Sequence, residues 1–408
     1  MKDFMKTMNN KKKFMLISPT LCQGGFERIC VTTARLLTPH FDVIIVLFDS
    51  GNIAFDVTGL NIIDIKQGVK KGKIAKFFNI IIRAKKVRKL KKIHNPIVAY
   101  SFGATANIVN ALSKTKESKA WLSLHSYMDM GEEAKLRLFM RKADTLLCCS
   151  KFIADELKER FSYEKAITLY NPYDVKEMKR LAESAEPRGQ SWDDSGEELI
   201  HLMSMGREDD VKGFWHTVKV FYLIQQKISN VRLTILGEGL FTEYKKLASD
   251  LGIAEKVYFT GMQKNPYKYL KSGTIYLLNS LMEGFPNALI EAMAMGMVPV
   301  ACDCRSGPAE ILLDDVLNEA VRDRVYQDES ALWGDYGILI KPMNEPKNVD
   351  ANVITAGERI MAEIVIKMLS SADLLQKYKD AATRRALVFT GEAYLKHIFE
   401  LLESKENG

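Results

Sequence analysis

Residues 274–301 read TIYLLNSLMEGFPNALIEAMAMGMVPVA. Thr274–Leu278 is a short apolar run, as a buried strand requires, and Val298–Ala301 is a second. Between them the spacing predicts a helix from about Pro286 to Met295. Proline suits a first helical turn, where its missing N–H costs nothing, and Gly296 stands where a left-handed residue closes a helix. Strand, loop, helix and strand in that order form a βαβ unit, and such units build parallel sheets covered on both faces.

The same alternation extends in both directions. Upstream, Leu199–Ser204, Val231–Leu236 and Lys256–Thr260 read as strands, with helices over Trp215–Lys227 and from Gly239 towards Leu251. An earlier series begins with Phe14–Ser18 and continues through Val43–Phe48, Ile62–Ile65, Ile97–Tyr100, Trp121–Leu124 and Thr145–Cys149. Helical patterns over Glu27–Leu37, Lys73–Ile93, Ala104–Leu112 and Glu132–Lys142 separate them. Val43–Phe48 is apolar throughout, as expected of a strand buried on both faces. The polar stretch Ala182–Glu198, with Pro187-Arg188-Gly189, reads as a loop between the two series. The fold class expected is therefore α/β: two Rossmann-like, doubly wound parallel-sheet domains facing a central cleft. Their expected bounds are 1–175 and 176–385, with a C-terminal helix in 386–408 packing across the junction. A length of 408 residues fits two cores of ordinary size.

Charge is uneven. Residues 1–110 hold 19 Lys+Arg against 6 Asp+Glu, while 111–408 hold 39 against 45. Residues 66–92 alone carry 12 basic side chains and no acidic one, interleaved with Phe77, Phe78, Ile80, Ile81 and Ile82. A solvated helix face is the plain reading, and an interfacial helix on an anionic membrane is the functional one. Nucleic acid is disfavoured, since no nucleic-acid-binding motif accompanies the charge. The six cysteines form no Cys-x-x-Cys and read as reduced core thiols. No run approaches a membrane span, so the expected location is the cytoplasm, peripheral on the inner face of the plasma membrane.

The chemistry is read from 280–296. Amides at the start of the helix near Pro286, with its dipole, form an anion site. Glu283 precedes that helix, and Glu291 lies about 7–8 Å along its axis. Paired carboxylate oxygens suit vicinal sugar hydroxyls. A nucleoside diphosphate sugar, with sugar and ribose on opposite sides of its diphosphate, matches this layout.

Glu283 and Glu291, with seven residues between them, resemble the E-x7-E motif of retaining GT-B glycosyltransferases of family GT4. Other segments resemble the family in the same order. They are Gly24-Gly25-Phe26-Glu27-Arg28, Ser150-Lys151, Tyr170-Asn171-Pro172-Tyr173-Asp174, Gly206-Arg207…Lys212-Gly213 and Gly237-Glu238-Gly239. Phe259-Thr260-Gly261, Ser306-Gly307-Pro308-Ala309-Glu310 and Tyr336-Gly337-Ile338-Leu339 complete the set. The resemblance implies roles. Arg207 and Lys212 would bind the diphosphate and stabilise the leaving charge. Glu283 would hold sugar hydroxyls and Glu291 the ribose. The backbone of Asn287, Ala288 and Leu289 would touch phosphate and sugar, and Glu238 and Met262 would border the base. Gly24 and Gly25 would let backbone approach the phosphates, and His125 would contact the donor sugar. Glu208-Asp209-Asp210 is unusually acidic for a phosphate site.

The resemblance further implies a hexose or N-acetylhexosamine donor carried on UDP. The acceptor would be a glycan, lipid-linked, in bacterial surface polysaccharide synthesis. No cofactor or metal is implied, because Arg and Lys supply the counter-charge. A GT-B nucleotide-sugar epimerase or hydrolase and a non-catalytic scaffold of a glycan complex stay open. Each residue also has a plainer reading: His125 as a bonded structural histidine, Glu291 as a solvated helix face, Arg207 as surface charge, Gly24-Gly25 as a turn.

Overall fold

The computed structural model describes residues 11–22, 24–183, 199–315 and 319–403. Most of the expected loop at 182–198 lies outside them. Contacts divide the chain into two units, one of residues 1–173 with 391–408, the other of 174–390.

The first unit alternates strictly. Its elements are β1 (Lys13–Ser18), α1 (Gly25–Leu37), β2 (Asp42–Leu47), β3 (Asn61–Asp64), α2 (Lys73–His94), β4 (Val98–Ser101) and α3 (Ala104–Leu112). Then come β5 (Lys119–Leu124), α4 (Glu133–Lys142), β6 (Thr145–Cys148), α5 (Lys151–Phe161) and β7 (Ala166–Thr168). All seven strands are parallel, in the order β3-β2-β1-β4-β5-β6-β7. Side chains of a strand alternate faces. Phe14 and Leu16 therefore enter a core under α1, while Met15 and Ile17 enter the opposite core beneath α2 and α3. Both faces are covered, which is why β1 and β2 read as unbroken apolar runs.

The second unit repeats the plan. It contains α6 (Val175–Ala182), β8 (Ile200–Met205), α7 (Phe214–Gln225), β9 (Val231–Leu236), α8 (Thr242–Asp250), β10 (Val257–Phe259), α9 (Tyr267–Leu270) and β11 (Ile275–Leu278). α10 (Asn287–Ala294), β12 (Val298–Cys302), α11 (Pro308–Leu312), α12 (Glu319–Asp328), β13 (Ala331–Trp333), β14 (Ile338–Ile340), α13 (Ala356–Leu369) and α14 (Ala372–Ala386) follow. The strand order is β10-β9-β8-β11-β12-β14-β13, parallel except for the terminal β13–β14 pair. In each sheet the order reverses beside the first strand, between β1 and β4 and between β8 and β11. Such a switch point opens a crevice at the carboxyl ends of the strands.

The chain then returns to the first unit. α15 (Gly391–Glu403) packs on α1, where the Tyr394 hydroxyl meets Thr33 Oγ1 at 3.0 Å and Phe399 stacks on Phe41. Within the second unit, α7 and α13 are joined by a buried pair, His216 Nδ1 to Glu358 Oε1 at 2.7 Å. Glu358 also closes a capping box at the start of α13: its other oxygen accepts the Thr355 amide, and its own amide donates to the Thr355 hydroxyl.

Replacing Glu358 with Ala orphans the buried His216 nitrogen and half of the capping box. Glu358→Ala should therefore lose about 2–4 kcal/mol of stability, and Glu358→Gln less, because it keeps an acceptor. Chemical denaturation measures this; a Glu358→Ala midpoint equal to that of the unaltered protein contradicts it.

Candidate active site

The crevice of the second unit is built by three loops. The first, after β8, carries Gly206, Arg207 and Lys212. The second, between β11 and α10, carries Asn279–Pro286, and the third, after β12, carries Asp303–Gly307. Gly213 lets the first meet the second. Its φ is +61°, and a Cβ there would lie 2.1 Å from the Asn279 carbonyl oxygen. The Leu281 amide then donates to the Val211 carbonyl at 2.8 Å. The third loop clamps the second: Ser306 Oγ donates to the Gly284 carbonyl at 2.6 Å, and a Cβ on Gly307 would strike Pro286.

This frame brings Lys212 and Glu283 together. Lys212 Nζ donates to Glu283 Oε1 at 2.7 Å, and Ser280 Oγ donates to the same oxygen at 2.6 Å. Glu291, on α10, is only 2% exposed. Both carboxylates act on one hydroxyl: the Tyr276 phenol is pushed well up by burial, with the charges of Glu283 and Glu291 adding to the effect. Burial likewise raises the Cys304 thiol, helped by Glu283 and opposed by Lys212. Arg207 is exposed and has no side-chain partner among the described residues. An ammonium has three donors, so Lys212 can keep Glu283 and still meet an anion.

The acidic run beside these cations is occupied elsewhere. Glu208 accepts the amides of Leu240 and Phe241 at 2.8 and 2.9 Å. Asp209 accepts the Val211 amide, and Asp210 accepts Lys347. The Gly237–Gly239 turn is pressed against the same loop: a Cβ on Gly237 would lie 1.7 Å from the Gly206 carbonyl oxygen. Glu238 is exposed, and Met262 is 45% exposed.

Two details of α10 differ from expectation. Its first residue is Asn287, with Pro286 outside as the cap at ψ 94°, close enough to Gly307 that a Cβ there would meet the proline ring. The Leu289 amide already donates to the Pro286 carbonyl at 3.0 Å, so it is the least suited of the three expected amides to meet a ligand. Gly296, at φ +85°, closes the helix as its position predicts.

The first unit holds the remaining candidates at the carboxyl ends of β1 and β5. Gly24 caps α1 in an extended conformation and Gly25 opens the helix. A Cβ on Gly24 would lie 2.2 Å from a Glu27 carboxylate oxygen. His125 follows β5 and stacks on Phe102, with ring centroids 5.8 Å apart at 15°. Its Nε2 is enclosed and takes no hydrogen bond among the described residues. Burial lowers its pKa to about 4. Asp129, in the next turn, was not legible as a candidate. Burial raises it to about 6, opposed by the amides of Ser126 and His125. Ser280 was also missed, because a serine three residues before a glutamate carries no pattern of its own.

The chain is similar to known proteins along much of its length. Residues 193–331 match the family of group 1 glycosyl transferases. An uncharacterised glycosyltransferase of Methanocaldococcus jannaschii is 31% identical over 237 residues, 57% of this chain but only 56% of that relative, under two thirds of its length. The N-acetylgalactosamine-N,N'-diacetylbacillosaminyl-diphospho-undecaprenol 4-alpha-N-acetylgalactosaminyltransferase of Campylobacter jejuni is 25% identical over 388 residues, 91% of this chain and 93% of that one. Among solved structures, Anabaena HepE in complex with UDP and glucose superposes with a TM-score of 0.70 at 15% identity, covering 96% of this chain and all of that one. That likeness shows the GT-B fold.

The His125 imidazole should stay neutral well below its ordinary pKa. The native state then binds fewer protons than the unfolded chain between about pH 6.5 and 4, and this group's contribution to stability falls as pH falls through that window. Asp129 acts in the opposite sense between about pH 6 and 3.8. NMR of the His125 ring reads the site directly: no titration above about pH 5 is expected, and a midpoint near 6.5 contradicts the enclosure.

Proposed function

We propose, on the premise that this chain is a GT4-like glycosyltransferase of the GT-B fold, that it transfers a hexose or N-acetylhexosamine from a UDP-sugar to a lipid-linked glycan with retention. The observation that carries this reading is the Lys212–Glu283 pair in the loops beside the start of α10, with Glu291 buried on that helix. A single crevice thereby offers cations for a diphosphate and carboxylates on either side for hydroxyls. UDP and glucose in the Anabaena relative support the donor, and the diphospho-undecaprenol substrate of the Campylobacter relative supports the acceptor. Bacterial surface polysaccharide synthesis is the setting we assign, as relatives named for amylovoran and lipopolysaccharide synthesis support.

In this reading Arg207 and the two remaining Lys212 donors bind the diphosphate, and the Asn287 and Ala288 amides assist at the helix start. Glu291 accepts from the ribose hydroxyls. Glu283 accepts from the sugar, its position fixed by Ser280 and Lys212. Glu238 and Met262 border the base. In the first unit, taken by itself, Gly24 and Gly25 leave backbone without side chains, and His125 is a neutral hydrogen-bonding group. The acceptor oxygen attacks the anomeric carbon on the face that the diphosphate leaves. The carbon–oxygen bond to phosphate breaks as the new glycosidic bond forms, and the acceptor proton passes to a phosphate oxygen. Growing charge on the diphosphate is met by Arg207 and Lys212, so no metal is assigned.

We place α2 on an anionic membrane. Ile74, Phe77, Phe78 and Ile82 are exposed on it. The structure sorts its basic residues. Arg83 is spent on the Gln67 and Gly68 carbonyls, Lys91 on Asn110, and Lys86 on the Ile65 carbonyl. Lys70, Lys71, Lys73, Lys76, Lys85, Lys89 and Lys92 stay exposed for headgroups, each worth about 1 kcal/mol near an anionic surface. Among the described residues no helix is long and apolar enough to cross a membrane.

Two experiments test these assignments. Glu291→Ala should lower kcat/KM with UDP-sugar at least about tenfold, about 1.4 kcal/mol of transition-state binding, while the fold is kept; undiminished turnover removes the ribose assignment. Co-sedimentation with phosphatidylglycerol vesicles should fall with salt and with Phe77→Ser/Phe78→Ser. Binding that ignores both contradicts the membrane face.

A further inference from the structure

A cavity of about 920 Å³ lies wholly within the first unit, at the end of its sheet opposite the candidate site. Lys12 precedes β1 and Lys119 opens β5 at this end, whereas Gly24 and His125 follow the same two strands at the other. Five residues of β5 lie between Lys119 and His125, six steps or about 20 Å of strand. The cavity is therefore distinct from the donor crevice.

Its chemistry is unusual for a surface hollow. Six cations line it: Lys12, Arg88, Lys114, Lys116, Lys119 and Lys142. Lys114 is paired with Asp144 at 2.7 Å, and Asp144 also accepts the Ala120 amide. The other five make no side-chain hydrogen bond or ion pair among the described residues. Glu117 and Glu403 are the remaining carboxylates of the wall. Ser118, 3% exposed, contributes to the wall, with its hydroxyl enclosed. Behind the rim, Phe41, Ile97, Phe399 and Leu402 supply an apolar wall. Nearby Lys91, 2% exposed, is lowered to about 7 by burial and by the positive charges of Lys114 and Arg88, with Asp144 opposing.

We propose that this cavity is a second ligand site, taking an amphiphilic phosphate ester. Its phosphate would lie among Lys116, Lys119 and Lys142, and its apolar part against Phe399 and Leu402. A neutral amphiphile leaves the five unpaired cations unmatched, and a bare phosphate leaves the apolar wall wet. The volume falls within the range of small-molecule sites, about 300–1,000 Å³. Neither the donor assignment nor the membrane face of α2 is required.

The test is calorimetric titration of the full chain with dihexanoyl phosphatidylglycerol below its micelle concentration. sn-Glycerol 3-phosphate and dihexanoyl phosphatidylcholine serve as separate arms. Saturable binding of the phosphatidylglycerol is expected, at least about tenfold tighter than either comparison ligand. The combined variant Lys116→Gln/Lys119→Gln/Lys142→Gln should weaken it at least tenfold, and Leu402→Ser should weaken it too, with melting temperatures confirming that each variant folds. Absence of binding, equal binding of glycerol 3-phosphate, equal binding of the phosphatidylcholine, or unchanged affinity in the folded lysine variant overturns the proposal. UDP binding measured on the same variants should be unaltered, which separates this site from the donor crevice.

Discussion

The ion pair between Lys212 and Glu283 spans 71 residues of sequence and joins the two loops on either side of a switch point. Everything in the crevice refers to it. Glu283 is 10% exposed and Lys212 28%, so the pair is screened less than a surface salt bridge and more than a core one. Ser280 adds a third contact, and Gly213 allows the close approach without which the loops could not meet. α10 then leaves this junction in one direction only, because Ser306 and Gly307 hold its entry from the far side. Helix start, paired carboxylates and cations are thus set before any ligand arrives, which is the preorganisation that transfer chemistry needs.

The acidic run at 208–210 shows how local charge can mislead. Three carboxylates beside the proposed diphosphate site would repel the ligand if they faced it. Each instead satisfies a donor elsewhere: the entry to α8, the amide of Val211, or Lys347. Arg207 is left without a rival for an anion. On α2 the same lesson runs the other way, since Arg83, Lys86 and Lys91 are basic residues committed to carbonyls and an amide of the fold.

Much of this was legible in the sequence, for physical reasons. Strands buried on both faces, such as β1 and β2, leave unbroken apolar runs, and helices between them leave a period near 3.6. Glu283 and Glu291 were legible because seven residues part them in the Glu-Gly-Phe-Pro-Asn context that resembles the family motif. The short β7, β13 and β14 were not, because three residues carry no period. The terminal β13–β14 pair is antiparallel and so broke the expected alternation. Pro286 was read as helical because nothing local announces its extended conformation beside Gly307. The Lys212–Glu283 bond and the enclosure of His125 and Asp129 are products of tertiary packing, which no local pattern records.

The account stands or falls on where a donor's diphosphate binds, and a crystal structure with UDP-sugar measures that directly. Diphosphate oxygens are expected within about 3 Å of Lys212 Nζ and the first amides of α10, with ribose hydroxyls on Glu291. Diphosphate bound away from α10, with Lys212 and Glu283 still paired only to each other, would contradict it.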